Sequence, residues 1–408
     1  MRGDALGRKI RSIRVPGEEE ARRRSWEVVR EAAAEIEAGG AARRPSPRRW
    51  LAILAAIVAA AGIALSPAGA KVVEIIDPDG AGSPADTLDR IPGGGRLLIA
   101  TPQGPWIVQP DGAKRRLGDY EQASFSAPRG EFVAVTDDRQ LLAVDTAGSP
   151  RWSITAPEQV GDPRWSPSGF RVAYRSGSEL RVVAGNGTAD RRVAKSVRRP
   201  VAWRPLDPRG TGPSREMLAY PSNRGRLIAV DVDTGERLWV DERERNADEV
   251  DWLTSERLAV ARGRDVDILD ASGKRIAELP GAAGGYILGL DASPDGRRIA
   301  FVRGRAGRSE LWLGRIGEGG RTRQRRVLTA PGANQFSSVT FSPDGRRLLL
   351  AWEGLDQWLF IRPDREEKQL GNLLSFGDLS EQFAPGASPG GAGFPRIAGW
   401  APELGGSE

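Results

Sequence analysis

The chain of 408 residues contains neither cysteine nor histidine. These two absences exclude disulfide bonds, Cys nucleophiles, Ser/His/Asp triads, Cys/His zinc sites, iron–sulfur clusters and His-ligated haem. An enzyme built from this sequence would depend on carboxylates or on cations held by oxygen ligands. We therefore expect a non-catalytic protein that holds no metal and no cofactor.

Positive charge is concentrated near the N-terminus. The net charge of +6 arises from 60 basic and 54 acidic residues, and residues 1–49 hold 13 of the basic and 8 of the acidic ones. The remaining chain is almost neutral, which argues against nucleic acid as a partner. Arginine outnumbers lysine 54 to 6, so it is the default cationic side chain of this protein.

Residues 50–70 form a long segment without any charged side chain. As a helix they span about 30 Å, the thickness of a bilayer core. Four arginines crowd its N-terminal side: Arg43, Arg44, Arg48 and Arg49. By the positive-inside rule we expect a single-pass cell-membrane protein, with residues 1–49 in the cytoplasm and the chain beyond a linker at 71–93 outside it. An alternative is cleavage after Ala70 by signal peptidase, which would release a soluble domain.

Residues 18–38 are predicted to form an amphipathic cytoplasmic helix. Pro16 and Gly17 precede it, three glutamates occupy its first turn and Gly39 follows its end. Its apolar stripe consists of Trp26, Val29, Ala33 and Ile36. We expect this stripe to bind a cytoplasmic partner, with the membrane surface or a second copy of the helix as alternatives. Helix, spanning segment and external domain resemble the layout of transmembrane anti-sigma regulators, although the His and Cys motif of their zinc-binding class is absent.

From residue 94 to residue 402 one sequence phrase recurs: an aromatic residue, a Ser-Pro-x-Gly-like turn, and two short apolar strands separated by a loop. The clearest copies contain Ser166-Pro167-Ser168-Gly169, Ser293-Pro294-Asp295-Gly296 and Ser342-Pro343-Asp344-Gly345. Ser-Pro-Asp-Gly suits each position of a type I turn, so each copy predicts a β-hairpin. These copies resemble the repeats of TolB-like β-propellers, which implies an all-β propeller with one four-stranded blade per repeat.

The spacing of the repeats predicts the number of blades. Successive copies contain six anchor residues: Phe125, Trp165, Trp203, Trp252, Ala292 and Phe341. A seventh blade follows from the ends of the domain, because it starts without an anchor at Arg96 and ends on a surplus strand that begins at Arg396. We expect a seven-bladed β-propeller closed by its C-terminal strand, with a Gly/Pro-rich insertion at 371–395 and a tail at 403–408. Six blades are the fallback, and a β-sandwich is a distant third alternative.

Arginines accumulate in the loops between the second and third strands of the blades, which face one end of a propeller. Arginine forms fork-like pairs with phosphate and carboxylate groups, so such loops are suited to an anionic ligand. The candidate ligand-binding residues are Arg262, Arg264, Arg303, Arg305 and Arg308. The alternative is that these side chains are ordinary solvated surface.

Tryptophan is the most abundant aromatic residue, with 12 copies. Four of them share the anchor position and are expected to pack between blades: Trp165, Trp203, Trp252 and Trp400. Trp352 and Trp358 fall outside this pattern, and we expect them nearer to the surface.

The leading interpretation is a bacterial-type membrane protein whose external propeller binds a protein or an anionic envelope ligand without chemistry, and whose cytoplasmic helix is expected to report that binding. A second interpretation is a carboxylate-dependent hydrolase or lyase that acts on an envelope polymer with two acids in the central channel. A third is an anti-sigma-like transmembrane regulator. Two carboxylates about 5 to 10 Å apart at the channel mouth, with raised pKa values, would favour the enzyme, whereas a channel mouth lined by arginines and apolar groups would favour the binder.

Overall fold

The structure is a computed structural model, and it describes residues 88–198, 201–206, 215–241, 243, 247–281, 285–305, 307–332, 335–363, 373–386 and 393–404. The predicted spanning segment at 50–70 and the cytoplasmic stripe formed by Trp26, Val29, Ala33 and Ile36 lie outside these residues. Within the described part of the chain, no helix has the length and apolar composition needed to cross a membrane.

The described residues form 28 β-strands, one short α-helix and two 3-10 turns. In chain order the strands are β1 Arg96–Thr101, β2 Gly104–Val108, β3 Lys114–Arg116, β4 Gln122–Phe125, β5 Phe132–Asp137, β6 Gln140–Asp145, β7 Pro150–Thr155, β8 Val160–Trp165, β9 Arg171–Ser176, β10 Glu179–Ala184, β11 Arg191–Ala194, β12 Ala202–Trp203, β13 Met217–Pro221, β14 Leu227–Asp231, β15 Arg237–Asp241, β16 Glu249–Thr254, β17 Arg257–Arg262, β18 Asp265–Asp270, β19 Arg275–Leu279, β20 Tyr286–Ala292, β21 Arg298–Arg305, β22 Arg308–Ile316, β23 Thr322–Pro331, β24 Phe336–Phe341, β25 Leu348–Trp352, β26 Gln357–Ile361, β27 Leu373–Phe376 and β28 Arg396–Ala401. The α-helix α1 is Leu379–Phe383, and the 3-10 turns are Glu318–Gly320 and Glu353–Leu355.

The strands build seven four-stranded antiparallel sheets, which confirms the predicted seven-bladed propeller. Blade 1 has the order β28-β1-β2-β3. Blades 2 to 7 each use four consecutive strands, beginning at β4, β8, β12, β16, β20 and β24. Their first strands form the inner ring, because they contact one another from blade to blade. The predicted insertion at 371–395 contains β27, the outer strand of blade 7, and α1.

Closure of the ring depends on the last strand of the chain. β28 pairs antiparallel with β1, with Ala401 opposite Arg96 and Trp400 opposite Leu97. One blade therefore contains both ends of the domain, as the unpaired start at Arg96 predicted. This pairing covers the sheet edge that β1 would otherwise expose.

Apolar side chains are buried between blades rather than at the centre of the ring. Seven clusters of buried residues match the seven interfaces between neighbouring blades. The second strand of each blade is covered on both faces, which explains continuous apolar runs such as Leu348–Ala351 in β25. Outer strands such as β3, with the sequence Lys-Arg-Arg, are largely exposed.

Most anchor aromatics occupy the predicted place. Trp165, Trp203 and Trp252 are each less than 10% exposed, and Trp400 packs half-buried against the cluster between blades 7 and 1. Trp358 contradicts its prediction, because it is fully buried beneath α1 and lies 5.5 Å from the ring of Phe383. The sequence pattern missed it because the covering helix lies outside the repeat.

An arginine at the start of a second strand ties a blade to the next one at three places in the described residues. Its guanidinium donates to the carbonyl oxygen of the glycine in the neighbouring blade's first turn. The pairs are Arg96 Nη1 with Gly130 O at 3.0 Å, Arg257 Nη2 with Gly296 O at 3.4 Å, and Arg298 Nη2 with Gly345 O at 2.8 Å. Arg96 and Arg298 also lie 5.5 Å from the rings of Phe125 and Phe341, a cation–π distance. We call these contacts the arginine clamps.

Candidate functional site

The propeller has two chemically different ends. The hairpin end carries the hairpins between the second and third strands of the blades, together with the connections from one blade to the next. The turn end carries the Ser-Pro-x-Gly-like turns between first and second strands. All five predicted ligand-binding arginines lie at the hairpin end, on the β17–β18 and β21–β22 hairpins.

The structure brings these two hairpins together, but it does not expose all five arginines. Arg303 Nη2 lies 3.5 Å from the carbonyl oxygen of Arg264, so blades 5 and 6 meet here. Arg262 is 3% exposed and Arg303 is 1% exposed. These two side chains are part of the core between blades and are not available to a ligand from solvent.

Arg262 belongs to a buried ion-pair network between blades 4 and 5. Its Nη2 donates to Asp241, and its Nε lies 3.2 Å from Asp267 Oδ2. Arg243 contacts the same two carboxylates at 2.8 and 3.3 Å. Burial lowers the pKa of Arg262 below its usual value, and the two carboxylates oppose that shift. Sequence could not reveal this pairing, because it joins residues from β15, β17 and β18.

Arg303 is enclosed by aromatic rings. Its guanidinium lies 5.2 Å from the ring of Phe301 and 4.9 Å from that of Trp312. Glu310, which accepts a 2.9 Å hydrogen bond from Trp312 Nε1, supplies the nearest opposing charge. Burial lowers the pKa of Arg303, which remains a cation packed within blade 6.

The side chains of three of the five arginines are accessible to solvent. Arg264 lies 3.6 Å from Asp265, with its side chain 44% exposed. Arg305 and Arg308 face each other across the tip of the β21–β22 hairpin, and neither has an ion pair within the described residues. Arg264, Arg305 and Arg308 therefore form the accessible arginine group of the hairpin end. Binding of an anion there stays a prediction.

A crevice of about 330 Å³ opens at the same end, where the last blades close the ring. Its walls come from the inner strands β20, β24 and β28, so it spans blades 6, 7 and 1. The lining residues are Leu288, Phe336, Ser337, Ser338, Glu353, Arg396 and Ile397. This mixture of apolar walls, two hydroxyls and one charge of each sign is typical of a ligand pocket of modest size.

The two serines in the crevice are unusual, because their hydroxyl oxygens are buried and have no hydrogen-bond partner within the described residues. The indole nitrogen of Trp352, whose ring packs at 5.1 Å against Phe336, is also buried without a partner. A buried polar group without a partner costs about 1–3 kcal/mol. Such groups are rare in native proteins and therefore mark places where a ligand or water completes the hydrogen bonding.

Two carboxylates lie in the inner ring of blades 5 and 6. Asp251 accepts a 2.9 Å hydrogen bond from the backbone N–H of Ala292 in the next blade. Asp291 accepts one of 2.6 Å from the N–H of Phe341 in the blade after that. Each acid stands directly before an anchor residue, so an alignment of the repeats would have found this shared position. Sequence analysis did not single them out.

The pKa values of these two acids are raised. Burial raises the pKa of Asp251 to about 6, against hydrogen bonds from Ala292 and Trp252 and the attraction of Arg164. Burial, and then the charge of Asp251, raise the pKa of Asp291 well above its usual range. Because the charge of Asp251 acts on Asp291, the two carboxylates resist carrying two negative charges at once.

Replacing Arg303 with Gln should destabilise the protein by roughly 2 kcal/mol or more, because it removes a buried cation from its aromatic cage and from Glu310. Arg305→Gln and Arg308→Gln should each stay within about 0.5 kcal/mol of the parent, since those side chains are accessible. Urea unfolding of the three variants measures the difference. Equal stabilities would show that Arg303 is not part of the core.

Asp251→Asn should make stability less sensitive to pH. Asn keeps an oxygen for the N–H of Ala292 but cannot ionise. The raised folded-state pKa means that the parent gains its full contribution from Asp251 below pH 4 and loses it as the pH rises through about 6. One pKa unit corresponds to about 1.4 kcal/mol, so the variant should gain at least about 1 kcal/mol over the parent between pH 4 and pH 8.

Thermal unfolding of parent and variant across this pH range checks the expectation. Asp270→Asn is a matched control, because the pKa of Asp270 is lowered rather than raised. A parent that becomes more stable relative to Asp251→Asn as the pH rises would contradict the raised pKa.

No protein-family model matches the chain, and no curated protein is similar enough to indicate a relative. Solved structures share the fold. Hsv2 of Kluyveromyces lactis is 12% identical with a TM-score of 0.51, and the match covers 69% of this chain and 95% of that one. Hsv2 of Kluyvelomyces marxianus is 11% identical with a TM-score of 0.50, covering 70% and 94%. The WD40 repeats of RRP9 are 14% identical with a TM-score of 0.48, covering 70% and 95%. At these identities the similarity to the two Hsv2 structures shows the propeller fold alone.

Proposed function

We propose that this protein is a non-catalytic binding propeller that receives a segment of a partner protein in the crevice between blades 6, 7 and 1. The observation that carries the proposal is a pair of buried hydroxyls, on Ser337 and Ser338, for which the described part of the chain supplies no hydrogen-bond partner. An extended peptide supplies N–H and C=O groups in alternation, so it can satisfy both hydroxyls while an apolar side chain contacts Phe336. The propeller fold is compatible with binders and enzymes alike, so the argument depends on the residues of this crevice.

The positive charge at the hairpin end indicates which kind of protein would bind there. The accessible arginine group Arg264, Arg305 and Arg308 lies on blades 5 and 6, and the crevice begins on blade 6. Exposed cations near a binding crevice favour partners with acidic side chains beside the docked segment and accelerate their association. We therefore propose an acidic protein partner, with the arginines contributing to its orientation.

A photoreactive amino acid at Ser338 tests this proposal in membranes that contain the full chain. We expect a discrete cross-linked product whose yield falls in the background of Gly289→Leu. A Cβ at Gly289 would meet Ser338 Cα at 3.5 Å and Ser337 O at 3.6 Å, ordinary contact distances, so a leucine side chain would begin beside both serines of the crevice. The same photoreactive group at Ile276, exposed on the outer strand of blade 5, is the control position. Equal products from Ser338 and Ile276, or no effect of Gly289→Leu, would refute the docking site.

A second candidate function is favoured by the carboxylate pair in the inner ring. We propose, as the alternative, a hydrolase or lyase in which Asp291 is the proton donor and Asp251 the base, acting on an envelope polymer. Both acids also accept backbone N–H groups from the next blade, and that is a sufficient structural reason for their position. Asp291→Asn distinguishes the two functions, since it would abolish turnover of such a polymer but leave cross-linking at Ser338 intact.

We further propose that the protein is an anchored, TolB-like propeller, with residues 1–49 in the cytoplasm, residues 50–70 in the membrane and the propeller outside. This topology is supported by the cluster of arginines on the N-terminal side of the uncharged segment at 50–70. The cytoplasmic stripe of Trp26, Val29, Ala33 and Ile36 would then report partner binding, as in the anti-sigma-like interpretation.

A reporter enzyme that is active only outside the cytoplasm should be active when fused after Glu408 and inactive when fused before Arg43. The opposite pattern would contradict this orientation. Recovery of the C-terminal product in the soluble external fraction would instead show cleavage after Ala70.

A further inference from the structure

The large apolar side chains that remain exposed are concentrated at the turn end of the propeller. Among the described residues, the three most exposed are Phe170 at 76%, Leu206 at 54% and Leu404 at 46%. Phe170 follows the turn between β8 and β9, Leu206 follows β12, and Leu404 follows β28, so they lie at the turn end of blades 3, 4 and 1. Single exposed apolar side chains are ordinary on protein surfaces, but three at the same end favour contact with an apolar medium.

The chain also enters the propeller at this end. Ile91 is buried in the joint between blades 7 and 1, and its N–H donates to Pro110 O at 2.9 Å, in the connection between β2 and β3. The carbonyl oxygen of Gly94 then accepts a hydrogen bond of 2.9 Å from Trp400 Nε1, near the end of β28. Because β1 starts at the turn end, these contacts lead the entering chain across that end.

A short stretch of chain separates this entry point from the predicted spanning segment at 50–70. Leu88 is the first described residue, so the intervening stretch is residues 71–87. These 17 residues can extend over at most about 60 Å. In the anchored topology proposed above, this tether starts at the membrane and reaches the propeller at the turn end. The tether therefore brings the turn end, rather than the hairpin end, to the bilayer surface.

The turns at this end carry charges of both signs. In the blade 2 turn, exposed Arg129 is accompanied by exposed Glu131, and in the blade 7 turn Arg346 lies 4.0 Å from Asp344. Neighbouring charges of opposite sign largely cancel beyond their immediate surroundings, especially in salt. Apolar contact, rather than attraction to anionic lipids, is therefore the interaction that this end offers to a membrane.

We propose that the turn end docks on the lipid bilayer, with Phe170, Leu206 and Leu404 inserted among the lipid headgroups. A weak contact is sufficient, because the spanning segment already holds the chain at the membrane and gives the turn end a high effective concentration there. This docking rests on the anchored topology. It is independent of the crevice, which lies at the hairpin end and stays open to a protein partner.

Fluorescence quenching in vesicles that contain the full chain tests this docking. Since the sequence has no cysteine, a single introduced cysteine carries an environment-sensitive fluorophore at one known position. In phosphatidylcholine vesicles with spin-labelled headgroups, the labels at Phe170→Cys and Leu404→Cys should lose most of their fluorescence. The controls are Ile276→Cys on the outer strand of blade 5 and Arg305→Cys at the hairpin end, whose labels should lose almost none.

Two further measurements separate apolar insertion from other causes of quenching. Phe170→Ser combined with Leu206→Ser should restore most of the fluorescence of the label at Leu404→Cys, whereas Ile276→Ser should restore none. Because all these side chains are exposed, the melting temperature should stay unchanged. Quenching should also persist in high salt and without anionic lipid, since screening by salt weakens charge attraction but not apolar contact.

A label at Ala60→Cys, within the predicted spanning segment, distinguishes failure of docking from failure of the anchor. Quenching at Ala60 by spin-labelled acyl chains, without quenching at Phe170, would overturn the docking and leave the anchored topology intact. Absence of quenching at Ala60 would overturn both. The docking is also overturned if the label at Arg305 is quenched as strongly as that at Phe170, or if the quenching disappears in high salt.

Discussion

The joint between neighbouring blades is the constraint on which this structure depends. A ring of seven sheets has no central core, so each blade must hold the next, and this chain has no cysteine with which to cross-link them. Seven apolar clusters supply most of the burial at these joints. The arginine clamps also fix the orientation of neighbouring blades. A guanidinium that donates to a turn carbonyl and stacks on an aromatic ring holds the next blade in one position. Arg96 does this at the joint where both ends of the domain meet.

The clamps give arginine a structural role in this protein, in addition to its charge at the surface. Lysine carries a point charge on a flexible stem and cannot stack and donate in the same way, so the clamps favour arginine over lysine. The structural role of arginine also explains why the ligand-binding site predicted from loop charge included two residues that are buried in the core. Arg262 and Arg303 stand in the same loops as Arg264 and Arg305, yet they are buried against carboxylates and aromatic rings. Of the five predicted arginines, those that are accessible lie at or next to the tips of the two hairpins, Arg264, Arg305 and Arg308.

The two ends of the propeller and its inner ring offer different chemistry. The hairpin end combines accessible arginines with a crevice whose two serine hydroxyls have no hydrogen-bond partner among the described residues. At the turn end of blade 6, Arg298 of β21 lies directly opposite Arg315 of β22. In the inner ring, Asp251 and Asp291 join successive blades through backbone N–H groups, and burial raises the pKa of both acids, with the charge of Asp251 adding to the shift at Asp291.

The sequence by itself determined the number of blades, the phase of the repeat and closure by the last strand, because each follows from local turn chemistry and from spacing along the chain. The anchor position of Trp165, Trp203 and Trp252 was predictable for the same reason. Tertiary structure alone decided which arginines are accessible, that α1 buries Trp358, and that β20, β24 and β28 converge on a crevice. Burial and pairing at these places involve residues far apart in sequence, up to 109 positions between Leu288 and Ile397, and no repeat pattern carries that information.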